Sequence, residues 1–226
     1  MQAKRRKSGN CRTRTTPHER GILISDNIEP NRKQNHGSFA LLIFLKEKRD
    51  GSIKGRGVTD GRKQQDKIEP KDATSSTVSI EAVMLTATIY ALEGRDVAIV
   101  DIPGTYLSAD MDGEVHIVFR GTLAEMMVAA DPALYRPFVS YETVNAALYI
   151  RMQKALYGCL KSGLLLYKKL VGDLEAYGFR INTYDLCVAN KMIGGKQPPV
   201  YWHVEDLKIS CVDANKVTKM IQCIES

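Results

Sequence analysis

Apolar and polar residues follow the periods of strands and helices from residue 38 onward. Apolar runs and period-two alternation predict strands at 38–48, 53–59, 96–102, 115–119, 148–152, 185–191, 200–204 and 207–212. Helical periodicity predicts amphipathic helices at 78–92 and 160–177, and Asp213 can cap a third helix that runs to Ile224. Because these elements interleave without regular βαβ units, the pattern predicts an α+β fold, with an antiparallel sheet packed on helices.

The first 37 residues show neither period and are rich in Arg, Lys, Asn, Thr and Ser. We therefore predict a basic disordered tail at 1–37 and a single domain at 38–226. The tail holds nine basic and three acidic residues, so it carries the whole net charge of +6. Such a tail either contacts nucleic acid or is simply solvated, and charge alone favours the second interpretation. Within the domain, the polar stretch 60–75 is predicted to be a loop.

Composition excludes several classes of protein. Hydrophobic residues make up 44% and charged residues 26%, as in globular chains rather than disordered or fibrous ones. The longest apolar run, 39–45, is far shorter than the roughly 20 residues of a membrane helix, and the charged N-terminus does not resemble a secretory signal. We therefore expect an intracellular protein without membrane contact. The five cysteines form no CxxC pair and are interpreted as reduced core residues or bystanders.

Carboxylates stand at the ends of predicted strands. Asp101 closes the apolar run VAIVD, and Glu205 and Asp206 form an acidic turn between the last two predicted strands. Carboxylates at strand ends of one sheet can converge, and two-metal phosphoryl transfer needs such convergence to hold two Mg²⁺ ions about 3.5–4 Å apart. By spacing alone the signal for a metal site is weak, because acidic residues at strand ends and turns are usually solvated.

Six blocks, in order over about three quarters of the chain, carry a resemblance to a known family. The blocks are KGRGV at 54–58, VDIPGTYL at 100–107, KALYG at 154–158, LYKKL at 166–170, GF with YDLCV at 178–188, and WHVED at 202–206. They resemble the fingers motif K-x-R-x-V, the catalytic block D-x-x-G-A-(F/Y)-L, the K-A-L-Y-G block with its helix, and the (Y/H)-V-D-D hairpin of Ty1/copia-type retrotransposon reverse transcriptases. The resemblance implies the fingers and palm subdomains of an RNA-directed DNA polymerase.

The resemblance also implies a role for each carboxylate. Asp101 and Glu205 would ligate both Mg²⁺ ions, which Mn²⁺ can replace, and Asp206 would be the supporting carboxylate. His203 fills a hairpin position where the family often has Tyr, and we interpret it as a packing residue rather than a metal ligand.

A second set of matching residues would form the nucleotide pocket. Tyr106 would be the steric gate that rejects a ribose 2′-OH, and Lys54 and Arg56 would hold the triphosphate. Tyr157 and Gly158 would line the pocket. Apart from the resemblance, the simpler interpretation is favoured: the two cations form a solvated strand face and the tyrosines are packing aromatics.

The implied partners are an RNA/DNA template–primer and dNTPs, and the implied location is a cytoplasmic virus-like particle or the nucleus. Three features depart from the family: Glu205 replaces Asp, Thr105 replaces a small Ala, and the chain ends roughly 20 residues after Asp206, where a thumb and RNase H are expected. The extra methylene of Glu205 moves its carboxylate by about 1.5 Å, and a misplacement of ~1 Å can cost on the order of a hundredfold in rate. We therefore expect impaired polymerisation.

The alternative function is a non-catalytic nucleic-acid-binding relic of a retrotransposon polyprotein. It would bind through the basic tail and the surviving groove, in a salt-sensitive and sequence-independent way. Deleting residues 1–37 separates the two functions, since the relic loses affinity whereas a polymerase site keeps Mg²⁺-dependent dNTP contacts. A third interpretation is a domain that no longer folds stably without its thumb.

Overall fold

The computed structural model describes residues 38–64, 68–102, 104–141 and 145–225. The tail predicted at 1–37 lies outside these residues. The chain divides into two compact units. Within the described residues, unit 1 comprises 75–102, 104–105 and 167–225, and unit 2 comprises 38–64, 68–74, 106–141 and 145–166.

The described part of the chain forms ten strands and six helices. The strands are β1 (Phe39–Glu47), β2 (Ile53–Thr59), β3 (Asp96–Asp101), β4 (His116–Arg120), β5 (Val139–Ser140), β6 (Ala147–Arg151), β7 (Arg180–Ile181), β8 (Val188–Asn190), β9 (Pro199–His203) and β10 (Asp206–Cys211). The helices are α1 (Pro70–Ala73), α2 (Ile80–Glu93), α3 (Thr122–Ala130), α4 (Pro132–Tyr135), α5 (Ser162–Ala176) and α6 (Ala214–Glu225). This mixture confirms an α+β fold in general terms, with two sheets and their helices.

Unit 1 is built on an antiparallel sheet with the strand order β3-β10-β9-β8-β7. Leu207 and Ile209 of β10 are fully buried and pack with Trp202 of β9. Leu174 of α5 and Val217 of α6 belong to the same cluster, so these two helices cover one face of the sheet. Burying each large apolar side chain contributes about 1.5–3 kcal/mol, which makes this cluster the main source of stability in unit 1.

Helix α2 contacts the other face of that sheet. The Ser79 hydroxyl caps its N-terminus by accepting a hydrogen bond from the Ala82 amide at 3.2 Å, and Gly94 ends it in the left-handed conformation at φ 60°. Tyr90 packs with Tyr201 of β9. The predicted amphipathic pattern is wrong, however: large apolar side chains are also exposed on the outer surface, among them Met84 at 64%.

A carboxylate ties α2 to the segment between β7 and β8. Asp185 accepts hydrogen bonds at 2.8 Å from both the amide and the hydroxyl of Ser79, and one at 2.9 Å from the Cys187 amide. Burial opposes ionisation of this carboxyl, but the three hydrogen bonds outweigh it and hold the pKa of Asp185 below its ordinary value. This local bonding explains why the strand predicted at 185–191 begins only at Val188.

Replacing Asp185 by Asn is expected to lower the free energy of unfolding by about 1 kcal/mol at neutral pH, because hydrogen bonds to a charged acceptor are lost. A carboxyl whose pKa is lowered by folding stabilises the protein above its unfolded pKa, and this contribution disappears as the pH falls. In urea titrations, the gap between the natural chain and Asp185→Asn should therefore be smaller at pH 3 than at pH 7. Glu175→Gln, at an exposed position of α5, is the control; an equal gap at both pH values would contradict the assignment.

Unit 2 contains the second sheet, with the order β2-β1-β4-β6-β5. Strands β1 and β2 form a hairpin, and in its turn the Asp50 carboxylate accepts hydrogen bonds from the Ser52 amide and hydroxyl. Strands β1 and β4 pair in parallel, contrary to the purely antiparallel expectation. The two strands are far apart in sequence, so no tight turn constrains them to run antiparallel. Ile117, Leu148 and Ile150 are fully buried in the core of this unit.

The predicted loops contain regular structure that the pattern did not indicate. The polar stretch 60–75 includes a 3-10 segment, Gly61–Gln64, and the short helix α1. Helices α3 and α4 were not predicted either. Asp131 separates them: its side chain accepts a hydrogen bond from the Leu134 amide, and Pro132 occupies the first position of α4.

Two predictions from composition concern burial and membranes. Cys159, Cys187 and Cys211 are buried free thiols, which confirms the interpretation as core residues at these positions; Cys11 lies outside the described residues. Burial raises the pKa of the Cys187 thiol to about 12, with a further contribution from Asp185. None of the helices within the described ranges is both long and apolar enough to cross a membrane.

Candidate active site

The acidic turn of the sequence is a two-residue hairpin loop between β9 and β10. Its loop residues are Val204 and Glu205, and Asp206 is already the first residue of β10. The predicted turn, Glu205–Asp206, is therefore one residue too late. Val204 has φ 55°, and a positive φ at only the first loop residue is the pattern of a type II′ turn, where glycine is preferred. A residue held in such a backbone region costs of order 1–3 kcal/mol, so the loop that presents Glu205 is strained.

Asp206 stands at the centre of a row of polar residues that runs across three strands. It is paired in register with His203 of β9 on one side and with Asp101 of β3 on the other. Directly opposed positions in antiparallel strands share a face of the sheet and are separated by about 4.5–5.5 Å. We call these three positions the carboxylate row. The described side chains of the row, Asp206 and His203, are both exposed.

Alternation along β10 separates the carboxylate row from the core of unit 1. Leu207 and Ile209 point into the cluster under α5 and α6, so Asp206 and Lys208 lie on the opposite face. The Lys208 ammonium lies 5.0 Å from the centre of the Tyr90 ring and 5.6 Å from that of Tyr201. Lys208 is a cation two positions from Asp206 on the same face, which sequence analysis missed although period-two alternation along β10 would have indicated it.

The donor chemistry of the row and its loop fits a hard divalent cation. Asp206 and the half-buried Glu205 offer carboxylate oxygens, which are the ligands that Mg²⁺ prefers. Among the side chains that the structure describes, a set that excludes that of Asp101, no three or more His, Cys, Asp or Glu lie close enough together to hold a metal. The backbone register is therefore the observation that relates Asp101 to the other two carboxylates.

The residues predicted to bind the nucleotide are found in unit 2, grouped around Tyr157. The guanidinium carbon of Arg56 lies 5.8 Å from the centre of the Tyr157 ring, within the range of a cation–π contact. Tyr106 meets the same ring edge-on, with 4.5 Å between the ring centroids. Arg56 is exposed, whereas both tyrosines are half-buried. The side chain of Lys54 lies outside the described part of the structure.

Backbone contacts hold Tyr157 and Gly158 against the end of β2. The Tyr157 carbonyl accepts hydrogen bonds from the Thr59 amide at 2.8 Å and from the Thr59 hydroxyl at 3.2 Å. Gly158 has φ +85°, and a Cβ atom there would lie 2.1 Å from the Thr59 carbonyl oxygen. Glycine is therefore required at position 158 both by the backbone conformation and by the closeness of β2. Together these contacts fix the backbone of Tyr157 against β2, the strand that carries Arg56.

Replacing Gly158 by Ala is expected to lower the free energy of unfolding by about 3 kcal/mol, because the left-handed conformation and the clash with β2 both oppose a Cβ atom. Gly113→Ala is the matched control: its φ of +83° is nearly the same, but no atom lies within 4 Å of the added Cβ, so only the conformational cost of about 1 kcal/mol applies. Urea titration of the two variants gives the comparison. Equal losses in both would contradict the close approach of Gly158 to Thr59.

Thr105, where the family has a small residue, is accommodated inside unit 1. It is 1% exposed, and its hydroxyl donates a hydrogen bond to the Ile102 carbonyl. The larger side chain is therefore buried and hydrogen-bonded.

The structure thus brings the predicted site residues into two groups, one in each unit. Asp101, Glu205 and Asp206 meet at one end of the unit 1 sheet. The second group consists of Arg56, Tyr106, Tyr157 and Gly158 in unit 2. Neither a family model nor a curated protein matches the chain, so the functional assignment depends on the sequence blocks and on the geometry of these two groups.

Proposed function

We propose that the chain is the fingers and palm portion of an RNA-directed DNA polymerase of the Ty1/copia retrotransposon type. The observation that carries the proposal is the register of β3 and β10, in which Asp101 lies directly opposite Asp206, beside the loop that presents Glu205. More than 100 residues separate Asp101 from Asp206 in the sequence. Two-metal catalysis requires carboxylates to lie close together, and it would explain why these two residues are paired. The reaction is attack of a primer 3′-OH on the α-phosphate of an incoming dNTP, which forms a phosphodiester bond, breaks the bond between the α- and β-phosphates and releases pyrophosphate.

In this proposal Asp101, Glu205 and Asp206 hold two Mg²⁺ ions, or Mn²⁺ in their place. When bound, the ions supply electrostatic stabilisation to the attacking and leaving oxygens. The exposed carboxylate of Asp206 is open to solvent and to a ligand, whereas the β9–β10 loop sets the backbone position of Glu205. In this proposal, the rate of the reaction depends on how accurately the three carboxylates are positioned.

The proposal assigns the dNTP to Arg56, Tyr106, Tyr157 and Gly158, together with Lys54. The planar guanidinium of Arg56 can bind phosphate oxygens through two parallel N–H groups. The contact with the Tyr157 ring favours one orientation of the Arg56 guanidinium. Tyr106, packed edge-on against Tyr157, is suited to act as a rigid steric gate against a ribose 2′-OH.

Glu205 favours a second candidate, the nucleic-acid-binding relic. In a site where Mg²⁺ demands near-ideal octahedral geometry at about 2.0–2.1 Å, a carboxylate displaced by one methylene impairs catalysis without affecting the fold. The relic would retain salt-sensitive binding to template–primer and would lack nucleotide incorporation.

Template-directed incorporation of dTTP on poly(rA)/oligo(dT), with Mg²⁺ or Mn²⁺, tests the proposal. The natural chain and Glu205→Asp are assayed together after circular dichroism has shown that both are folded. Incorporation by either protein that requires template and metal supports a polymerase. Failure of both, with retained binding of the template–primer, would favour the relic.

A further inference from the structure

A cavity lies in unit 1, on the side of the sheet that faces α5 and α6. Its volume is about 170 Å³, and its walls are formed by apolar side chains, including Leu174, Phe179, Ile193 and Met220. Leu174, Phe179 and Met220 belong to the core cluster that also contains Leu207, so the cavity opens from the face opposite to the carboxylate row. Of the residues proposed for nucleotidyl transfer, none whose side chain the structure describes lines it.

Three lysines, Lys191, Lys216 and Lys219, surround this apolar cavity. Lys191 donates a hydrogen bond to the Tyr177 carbonyl, and Lys216 donates one at 3.1 Å to the Ile193 carbonyl. Neutral carbonyl groups therefore hold these two ammonium groups in place at the rim. Lys219 is exposed one turn along α6 from Lys216.

Among the described side chains, none of those that line the cavity is acidic, and none of their ion pairs includes any of the three lysines. Three cationic side chains therefore line one apolar cavity. The Lys191 ammonium lies 5.6 Å from the centre of the Phe179 ring, which is itself part of the cavity wall. An anion at the rim would be attracted to these positive charges.

We propose that the cavity binds a small aromatic anion, whose ring occupies the apolar interior and whose anionic group contacts the lysine ammonium groups. The volume supports a ring-sized ligand, since an apolar cavity of about 150 Å³ is known to take up benzene. The lysines supply the recognition of charge, because Lys191 and Lys216 each retain N–H groups beyond the one that binds a carbonyl, and Lys219 is exposed. The site is separate from the proposed polymerase chemistry and does not depend on it.

Calorimetric titration of the full chain with three probes at constant ionic strength tests this site. Phenyl phosphate carries both ring and anion, benzyl alcohol carries the ring without the charge, and inorganic phosphate carries the charge without the ring. Phenyl phosphate is expected to bind at least about tenfold more tightly than either of the others, since it satisfies the cavity and the rim together. Equal affinity for phenyl phosphate and either single-feature probe, or no binding of phenyl phosphate, would overturn the proposal.

A variant pair shows whether the binding occurs at this cavity. Lys219→Gln removes one rim charge at an exposed position and should weaken phenyl phosphate about threefold, while benzyl alcohol is unaffected. Lys168→Gln removes an exposed lysine of α5 that does not line the cavity and should leave both affinities unchanged. Equal affinities of phenyl phosphate for Lys219→Gln and Lys168→Gln would place the bound anion elsewhere and refute the site.

Discussion

Replacing Glu205 by Asp is expected to raise the rate of Mg²⁺-dependent primer extension about a hundredfold over that of the natural chain. The residue is the second of a two-residue loop, so the pairing of β9 with β10 fixes its backbone and side-chain length decides where the carboxylate lies. One methylene moves that group by about 1.5 Å, and errors of ~1 Å at a reacting centre cost on the order of a hundredfold. The measurement is the initial rate of dTTP incorporation on poly(rA)/oligo(dT) at saturating dTTP.

The same chemical change at Glu81, exposed in the first turn of α2, provides the control for this gain. Glu81→Asp should leave the rate at the level of the natural chain, because it shortens a carboxylate outside the hairpin. If Glu205→Asp were as slow as Glu81→Asp in folded protein, carboxylate length at position 205 would not be what limits activity.

Replacing Asp101 by Asn in the Glu205→Asp background is expected to lower primer extension at least about a hundredfold, to the level of the assay without enzyme. The amide removes the negative charge at the position directly opposite Asp206, and a divalent cation loses a charged ligand there. The measurement is again the initial rate of incorporation, with unfolding by urea followed in parallel.

Asp96→Asn tests whether the loss is specific to the carboxylate row. Asp96 is the first residue of β3, lies opposite Cys211, and carries the same side chain as Asp101 at the other end of the same strand. Its replacement should leave extension within about twofold of the parent, since a surface substitution away from the site has little effect. Full activity of Asp101→Asn would remove Asp101 from the proposed machinery.

The extent to which the fold was predictable depends on local signals. Ser79 and Gly94 mark both ends of α2, and its predicted bounds differ from the observed ones by one or two residues. Helices α3 and α4 lie in a short apolar stretch interrupted at Asp131–Pro132, which offers no sustained helical period. The parallel pairing of β1 with β4 joins strands that are distant in the sequence, and only tertiary packing selects it.

The sequence indicates which residues form the candidate site, but it does not show how they lie relative to one another. Spacing cannot show that Asp101 lies opposite Asp206, because the register follows from burial of Leu207 and Ile209 on the other face of the sheet. The loop was misplaced by one residue because Val204 is a poor turn former, whereas Asp206 is a common one. The contact of Arg56 with Tyr157 likewise joins residues far apart in the chain, through the backbone pairing of Thr59.

Template-dependent nucleotide selection by Glu205→Asp is the most direct test of the central claim, that this chain carries the site of an RNA-directed DNA polymerase. Each of the four dNTPs is offered singly, with Mg²⁺, on poly(rA)/oligo(dT) and on poly(rC)/oligo(dG). We expect dTTP alone to extend the first primer and dGTP alone to extend the second. Both reactions should disappear when Asp101 is also replaced by Asn. Absence of template-directed extension in a folded Glu205→Asp protein would contradict it.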